Sequence, residues 1–343
     1  MLIVAGLSLK NLHPKVWDVE SPYHLPNLKA VMISYADFYA MPARMKEAKR
    51  LGLHKYLGVP KKVKIYLDNG AFAFHRRGGM ADQEEYEDFV GKARPDWRPV
   101  SYDAIPIPTM SAEQQRKCFD CTMAANRAFE HDGYVPVIHI SNLLDDYIKA
   151  LQENDKLAAK TKLALGGIVP NLLRTPKAMA YSDVMDSLCR VRATFRKKKL
   201  HVFGIGGTAT LHLAALLGID SVDSSGWRNR AARGIVQMPG SGDRMLADLG
   251  TWRGRKPSKD EWDKLRKCPC PACKRYGLKG LKASGMAGFS NRATHNLWVL
   301  LDEARWIDKH MKSGKYKANY QRRLDNTVYM PLIKEMLRRT KSC

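Results

Sequence analysis

The sequence predicts an α/β protein built as a (β/α)8 TIM barrel, and two observations lead to this fold. Short β-branched segments alternate with longer helical patterns through about residue 225, as in a parallel sheet. Polar residues also stand at the carboxyl ends of successive predicted strands, where the βα loops of a barrel converge. An open doubly wound sheet is the alternative, in which these strand ends would spread along a line. The polar residues are Asp68, Asp103, His139, Gly166, Gly167, Gly206 and Asp223.

Seven strands are recognisable in the sequence, so one barrel strand has to be assigned on weaker grounds. The segment 234–239, GIVQMP, is the best candidate for the eighth strand. The seven predicted strands are 30–36, 63–69, 99–105, 134–140, 162–169, 201–206 and 220–225. The helical patterns between them cover 82–93, 111–132, 144–159, 179–198 and 208–218.

A cysteine cluster adds a second structural unit to the barrel. Cys268, Cys270 and Cys273 lie within six residues, and His295 follows 22 positions later. Three thiolates and one imidazole form a complete tetrahedral ligand set for zinc. Because four protein ligands leave no position for water, we expect a structural zinc rather than a catalytic one. Its expected role is to hold the cysteine segment and the following long helix, about 291–312, against the barrel.

Three parts are therefore predicted along the chain. Residues 1–240 form the catalytic barrel. Residues 241–312 form a basic zinc-binding subdomain that begins with a Gly-rich connection and ends with the long helix. Residues 313–343 contain a last amphipathic helix that packs on the body.

The charge of the chain points to a polyanionic partner. The formal net charge is +24, and residues 251–343 carry 23 Lys and Arg against 8 Asp and Glu. A surplus of this size is typical of proteins that bind DNA or RNA, and the last third is the expected backbone-binding surface. A solvated basic surface without a specific partner is the alternative.

Other classes of protein are disfavoured. The apolar start MLIVAGLSLK is too short for a signal peptide, and no apolar run is long enough to cross a membrane. A reducing cytoplasm, that of the host cell if the chain is phage-encoded, fits seven cysteines without a disulfide framework. Cys118 and Cys121 fall inside a helical pattern and are interpreted as ordinary cysteines. The GIGG segment lacks the full dinucleotide-binding pattern, which argues against a Rossmann fold.

Carboxylates and arginines at the predicted barrel mouth suggest the chemistry. Any single aspartate at a strand end can be a helix cap or turn former. Asp68, Asp103 and Asp223 together instead match glycosidic chemistry, in which one carboxylate attacks the anomeric carbon and another transfers a proton. The basic residues that follow Asp223 suit the binding of a phosphodiester, although a solvated loop is the alternative. They are Arg228, Arg230 and Arg233.

These motifs resemble those of the tRNA-guanine transglycosylase family over about residues 67–301, and this family has a TIM barrel with a Cys3His zinc subdomain. LDNGAF is similar to the family's DSGGFQ-type loop, which implies that Asp68 is the general base. SYDAIP resembles its pocket strand, which implies that Asp103 binds the Watson–Crick edge of guanine. ALGGIVP implies base contacts from the backbone of Gly166 and Gly167. The stretch ending in SVDSS implies that Asp223 is the nucleophile. The zinc ligands match Cys268, Cys270, Cys273 and His295.

The chain also departs from the family pattern. His139 stands where the family pocket has a glutamine, which implies a substrate contact by an imidazole. SSGWRNRAARG replaces the usual Pro-Thr-Arg run after the nucleophile, and the chain has no room for the C-terminal RNA-binding domains of archaeal tRNA enzymes. Short, very basic sequences of this kind resemble the DNA-modifying 7-deazaguanine (DpdA-type) branch of phages and bacterial genomic islands.

The resemblance implies a pentosyltransferase that exchanges guanine in DNA for a free 7-deazaguanine base, with 7-cyano-7-deazaguanine expected. The reaction would pass through a covalent Asp223 glycosyl intermediate. A tRNA enzyme with the same mechanism is the first alternative, since both substrates are polyanions. A non-catalytic, zinc-stabilised nucleic-acid-binding protein is the second alternative.

Overall fold

A computed structural model describes residues 1–76, 79–131, 133–172, 176–250, 252–324 and 329–339. Its strands are β1 (Leu2–Gly6), β2 (Ala30–Ser34), β3 (Lys64–Asp68), β4 (Val137–His139), β5 (Lys162–Gly166), β6 (Lys199–Val202), β7 (Ser221–Ser224), β8 (Ile235–Met238) and β9 (Gly242–Met245). The first seven form a parallel sheet in the order β3-β2-β1-β7-β6-β5-β4. β8 and β9 form a separate antiparallel hairpin.

The parallel sheet closes through the segment 96–100, which lies between its two edge strands. On one side, Leu67 N donates to the Trp97 carbonyl at 2.8 Å. On the other side, Val135 N donates to the Arg98 carbonyl at 3.0 Å. The segment therefore acts as the eighth strand of the ring, and the predicted TIM barrel is confirmed.

Two strand assignments made from the sequence differ from the structure. The predicted strand 99–105 is replaced by the segment 96–100, and the proposed eighth strand is wrong. The segment 234–239 was expected to complete the barrel, but it forms β8 and pairs with β9 outside it. The strand that was missed is β1, which pairs with both β2 and β7. β8 has the apolar alternation of a strand because Val236 and Met238 pack into a second core around the cysteine cluster. Periodicity alone does not say which core a strand joins.

Helices surround the barrel, and some of them begin at residues whose side chains cap the helix. The Asp82 side chain accepts from Glu85 N at 2.8 Å at the start of one helix, and Ser111 and Gln114 form a capping box at the start of the next. The helices are α1 (Tyr35–Tyr39), α2 (Pro42–Leu51), α3 (Leu53–Leu57), α4 (Ala71–Arg76), α5 (Gln83–Ala93), α6 (Ala112–Ala128), α7 (Leu144–Gln152), α8 (Asp155–Ala159), α9 (Ile168–Leu172), α10 (Tyr181–Thr194), α11 (Thr208–Leu216), α12 (Gly226–Ala232), α13 (Lys259–Arg266), α14 (Pro271–Lys282), α15 (Gly285–Lys312), α16 (Tyr316–Arg323) and α17 (Met330–Arg339).

The long helix α15 joins the barrel to the cysteine segment. Its Asn296 amide donates to the carbonyls of Trp227 and Ile235, both at 3.1 Å, and its oxygen accepts from Gln237 N at 2.7 Å. Arg292, 1% exposed, donates to the Ala231 carbonyl at 2.8 Å. These buried side-chain bonds tie α15 to α12 and β8, so the position of the zinc segment depends on this helix.

The last helices pack back onto the body. His212 of α11 lies between the Tyr316 hydroxyl, 2.7 Å from its Nδ1, and Glu303, 2.9 Å from its Nε2. Ile333 and Met336 of α17 are buried in the main core. The three-part division of the chain stays a proposal. The β8–β9 hairpin crosses the boundary that was expected at residue 240. In the described part of the chain, none of the helices has the length and apolarity needed to span a membrane.

Candidate active site and metal centre

Asp68 stands at the end of β3, and the turn after it holds its carboxylate. Asp68 accepts hydrogen bonds from the Ser34 hydroxyl on β2 and from the Gly70 N–H. Gly70 has φ +80°, and a Cβ there would lie 2.4 Å from the Ala36 Cβ. The turn thus requires glycine both for its left-handed backbone and for its close approach to the neighbouring helix.

Asp103 follows the segment 96–100 in the chain, and its side chain is 5% exposed. The Asn69 amide donates to Asp103 Oδ1 at 2.7 Å and to the Val100 carbonyl at 2.9 Å. His139, at the end of β4, places its Nε2 3.2 Å from Asp103 Oδ2. Asp103 is therefore held by the Asn69 amide, and the His139 ring lies close to its other oxygen without a hydrogen bond. Sequence reasoning missed Asn69, although it follows Asp68 directly.

The glycines at the end of β5 make room for His139. A Cβ on Gly166 would lie 2.7 Å from His139 Nδ1 and 3.8 Å from Asp103 Oδ2. Gly167 has φ +74°, and its carbonyl accepts from the Asn171 amide at 2.9 Å. The structure thus brings together the four residues that the sequence assigned to base binding, which are Asp103, His139, Gly166 and Gly167.

Asp223 stands at the end of β7, where the glycine loop after β6 contacts it. Gly204 N donates to Asp223 Oδ1 at 2.7 Å. The loop approaches closely because Gly206 has no side chain, and a Cβ there would lie 1.9 Å from the Ser224 Cβ. The Ser224 hydroxyl donates to the Gly206 carbonyl at 3.0 Å and holds the loop against β7.

The three carboxylates share one electrostatic environment at the barrel mouth. The pKa of Asp68 is raised to about 7, chiefly because the carboxylate is buried. The negative charges of Asp223 and Asp103 raise it as well, and the hydrogen bonds from Ser34 and Gly70 oppose them. Within the residues described, neither Lys nor Arg forms an ion pair with any of the three. A carboxyl group with this pKa can both donate and accept a proton near neutral pH.

The three arginines that follow Asp223 have different environments. Arg228 is 7% exposed and donates to the carbonyls of Asn11 at 2.5 Å and His13 at 2.6 Å. Burial lowers the pKa of Arg228 to about 10. Its guanidinium is thus occupied inside the protein, which leaves a phosphate no direct access to it. We omit Arg228 from the proposed phosphate contacts.

Arg230 and Arg233 are more accessible. Arg230 Nε lies 2.8 Å from both carboxylate oxygens of Asp243 on β9, and its side chain is 27% exposed. The Arg233 guanidinium lies 3.9 Å above the ring of Trp252, which is itself 48% exposed. An exposed arginine stacked on an exposed aromatic ring can contact phosphates and bases together.

The cysteine cluster has the geometry of a tetrahedral zinc site. Nδ1 of His295 lies 3.5, 3.8 and 3.4 Å from the sulfurs of Cys268, Cys270 and Cys273. Zinc bonds of about 2.3 Å to sulfur and about 2.0 Å to nitrogen require roughly 3.5 Å between these atoms. His295 Nε2 lies 3.0 Å from the Gln237 carbonyl, which orients Nδ1 towards the sulfurs. The cluster is therefore a structural zinc site of the Cys3His type.

Two aromatic features of the mouth were not found from the sequence. Phe72, in α4 just after the Asp68 turn, is 56% exposed. An exposed ring beside an acidic pocket can stack on a nucleobase. His201, inside the barrel, lies 3.6 Å from Asp223. The available signals were an aromatic residue directly after the glycine turn and a polar residue within the apolar strand β6.

A zinc-containing TIM barrel with three carboxylates at its mouth defines the class of this protein. The chain matches the family model described as TGT, queuine tRNA-ribosyltransferase, over residues 13–328. Because this match covers most of the chain, the protein belongs to that family.

Two curated relatives of the chain are archaeal. The chain is 25% identical over 280 residues to a tRNA-guanine(15) transglycosylase of Pyrococcus abyssi, a match that covers 79% of this chain and 43% of the relative. It is 24% identical over 285 residues to a protein of the same name from Thermococcus kodakarensis, covering 81% of this chain and 45% of the relative. The chain thus corresponds to less than half the length of these two relatives.

Proposed function

We propose that this chain is a base-exchange transglycosylase that replaces guanine in DNA with a free 7-deazaguanine base. The observation that carries the proposal is the convergence of Asp68, Asp103 and Asp223 at one barrel mouth, where no Lys or Arg among the described residues forms an ion pair with them. Glycosyl transfer with retention needs one carboxylate as nucleophile and one group that moves a proton. The third carboxylate then remains for recognition of the base.

Base recognition is assigned to the Asp103 side of the mouth. The target guanine must leave its stack before its C1′ can be reached, at a cost of a few kcal/mol. The Asp103 carboxylate can accept the N1–H and the exocyclic N–H of a guanine edge. His139 and the backbone of Gly166 and Gly167 lie beside it and complete the pocket. Phe72 is positioned to stack on the base or its neighbour.

The first chemical step is assigned to Asp223. A carboxylate oxygen of Asp223 attacks C1′, the bond from C1′ to guanine N9 breaks, and its electron pair remains on the departing base. Asp68 in its protonated form supplies the proton that the base takes up. A pKa of about 7 leaves Asp68 partly protonated at neutral pH, as this role requires.

The second step reverses the first with the new base. The incoming 7-deazaguanine gives its N9 proton to Asp68, and N9 attacks C1′. The ester bond breaks and its electron pair returns to Asp223. Two inversions at C1′ give net retention of configuration. The structural zinc supports the β8 segment and α15 and takes no part in either step.

Nucleic-acid backbone contacts are assigned to Arg230, Arg233 and the basic last third of the chain. The choice of DNA rests on the departure of the segment after Asp223 from the family's usual run, because positive charge alone fits DNA and tRNA equally. The second candidate is tRNA, and the names of the archaeal relatives favour it. Both candidates use the same acidic site and the same free base.

Mass spectrometry of nucleosides tests the proposal. The protein is incubated with 7-cyano-7-deazaguanine and, separately, DNA or tRNA, and the nucleic acid is then digested. We expect a modified deoxynucleoside with the wild type and none with Asp223→Asn. Asp220→Asn is the matched control, because this aspartate stands at the opposite end of β7 and pairs with Lys199 at 3.1 Å.

The other outcomes are equally informative. A modified ribonucleoside in tRNA alone would replace DNA by tRNA and keep the mechanism. No exchange by a folded, zinc-loaded protein would overturn the enzymatic proposal. Salt-dependent binding to DNA or tRNA by that protein would then favour the non-catalytic binding alternative.

A further inference from the structure

His201 lies inside the barrel directly beneath Asp223. Its side chain is 2% exposed, and its ring packs between the rings of Trp97, at 5.0 Å, Phe203, at 4.9 Å, and Tyr66, at 5.7 Å between centroids. An aromatic box of this kind fixes the plane of the imidazole. The orientation of its two nitrogens is therefore set by the packing.

The two ring nitrogens have different surroundings. Nδ1 lies 2.9 Å from the Ser221 hydroxyl oxygen, and Ser221 also hydrogen-bonds the Tyr66 hydroxyl. Nε2 is buried without a hydrogen-bond partner among the described residues. It points to Asp223, with 3.6 Å between Nε2 and Oδ1. A buried, unpartnered ring nitrogen aimed at a catalytic carboxylate calls for a functional explanation.

The partners of the two ring nitrogens indicate which one of them carries the proton in His201. The Ser221 hydroxyl can donate to His201 Nδ1, which leaves the ring proton on Nε2. The opposite tautomer would direct the Nε2 lone pair at the carboxylate, which is repulsive. The carboxylate of Asp223 therefore selects the form with Nε2–H.

We propose that His201 is a positioning residue for Asp223, whose Nε2–H acts with the Gly204 N–H on Oδ1 and so presents Oδ2 to the anomeric carbon. The inference rests on the proposed transglycosylase function. Gly204 N already donates to Oδ1 at 2.7 Å, and the proposal requires the 3.6 Å contact of His201 to shorten when the substrate is bound, as hydrogen bonds of unliganded sites often do.

The consequence is an asymmetry between the two steps. While Asp223 is esterified, Oδ1 is a carbonyl oxygen with little charge. As N9 of the incoming base attacks C1′, the ester bond breaks and its electron pair returns to the carboxylate. The two N–H groups stabilise the charge that develops at that point, so they favour resolution of the intermediate over its formation.

Single-turnover kinetics test this asymmetry. Formation of the covalent adduct is measured on denaturing gels with nucleic acid alone, and its resolution after a chase with 7-cyano-7-deazaguanine. We expect His201→Phe, which keeps the ring packing, to slow resolution on the order of tenfold and to raise the adduct fraction. Ser221→Ala should do the same to a smaller extent, and Tyr66→Phe to the smallest extent, because each is one bond further from Asp223.

His54→Phe is the matched control. His54 is also a buried histidine beside a carboxylate, with Nε2 2.8 Å from Asp96 Oδ2, but it lies at the amino ends of the strands. Its replacement should lower thermal stability and leave the ratio of the two rates unchanged. If His201→Phe also leaves that ratio unchanged, the positioning role is refuted and His201 is only a packing residue.

Nuclear magnetic resonance of histidine-labelled protein supplies a readout that does not depend on exchange. The His201 signals are identified by their loss in His201→Phe. We expect the Nε2–H tautomer and a shift of Nε2 on Asp223→Asn. A proton on Nδ1, or no response to Asp223→Asn, would overturn the inference even in an active enzyme. Absence of exchange in the wild type would overturn only the proposed function.

Discussion

The barrel mouth and the zinc centre both bring buried polar groups together, but the two sites differ in whether those groups have partners. At the zinc centre, four ligand atoms lie within 4.8 Å of one another, and the second nitrogen of His295 is bound to the Gln237 carbonyl. At the mouth, none of the three carboxylates forms an ion pair with a Lys or Arg in the described part of the chain, and the pKa of Asp68 is raised to about 7.

The difference separates a structural site from a reactive one. A closed set of ligands satisfies every donor and lowers the free energy of the folded state. Carboxylates held together without neutralisation raise that free energy, and a protein keeps such an arrangement where the chemistry needs it. The two regions should therefore respond in opposite ways to the loss of a polar side chain.

The largest effect is expected at the zinc centre. Cys270→Ala removes a buried ligand, and zinc affinity and folding of the second core should be lost together, because metal binding supplies several kcal/mol of folding energy. Zinc content and thermal unfolding measure the change. Cys189→Ala, which changes a cysteine outside the cluster, should keep its zinc. A zinc-free, fully stable Cys270→Ala protein would contradict a structural role.

Asp223→Asn should have the opposite effect, because it should abolish exchange and leave the folded protein stable. Exchange is expected to fall by at least about a thousandfold, since the proposed nucleophile is lost, while thermal stability stays equal to or above that of the wild type. The pKa of Asp68 should also fall, because one of the negative charges that raise it is removed. Nucleoside mass spectrometry measures the loss of exchange, and thermal unfolding of Asp223→Asn at pH 5 and pH 8 measures the stability and its pH dependence. A large loss of stability would remove the contrast between the two sites.

Asp68→Asn should stabilise the protein and inactivate it. The folded-state pKa of Asp68, about 7, lies above the ordinary value of 3.8. The folded state thus binds more protons than the unfolded state between these values, and the wild type loses stability as pH rises through that window. At about 1.4 kcal/mol per pKa unit, the variant should gain at most roughly 4 kcal/mol above pH 7 and less at pH 5. Urea unfolding at pH 5 and pH 8 measures this, and an equal gain at both would refute the raised pKa.

Gly166→Ala should weaken binding of the free base by about tenfold. The new Cβ would lie 2.7 Å from His139 Nδ1, so the imidazole must move away from Asp103. The KM for 7-cyano-7-deazaguanine should rise with little change in kcat. Gly91→Ala is the control, since its Cβ would meet no atom within 4 Å and the residue lies within α5. Equal KM values for the two variants would exclude the pocket.

The smallest effects are expected for the arginines. Arg230→Ala and Arg233→Ala should each reduce the salt dependence of nucleic-acid binding by about one unit of slope in a log–log plot. Arg228→Ala should leave the slope unchanged and lower the melting temperature, because Arg228 bonds the carbonyls of Asn11 and His13. A change of slope on Arg228→Ala would show that the buried arginine reaches phosphate after all.

Much of the fold was predictable from local patterns. The helices α5, α6, α10 and α11 begin and end close to the predicted bounds, because their caps and apolar periodicity lie within a few residues of sequence. The zinc ligands were predictable for the same reason, since three of the four lie within six residues. The (β/α)8 barrel followed from the alternation of strands and helices.

Other features depend on partners that are distant in sequence. β1 is an apolar segment of five residues whose neighbours, β2 and β7, follow about 30 and 220 residues later. The sequence suggested Arg228 as a phosphate ligand, but in the structure its guanidinium donates to a carbonyl of the N-terminal loop. The roles of Asn69 and His201 could not be assigned from the sequence, because their contacts with Asp103 and Asp223 join separate segments of the chain that become neighbours only in the barrel.

The sequence by itself determined the types of chemical group available: the zinc ligands, the three strand-end carboxylates, the glycine turns and the excess of positive charge. Each is a property of a residue and its near neighbours. Only the tertiary structure decided which of them are buried, which share one mouth and which arginines are accessible. The reason is physical, because burial and electrostatic coupling depend on distances in space, and closure of the barrel sets those distances.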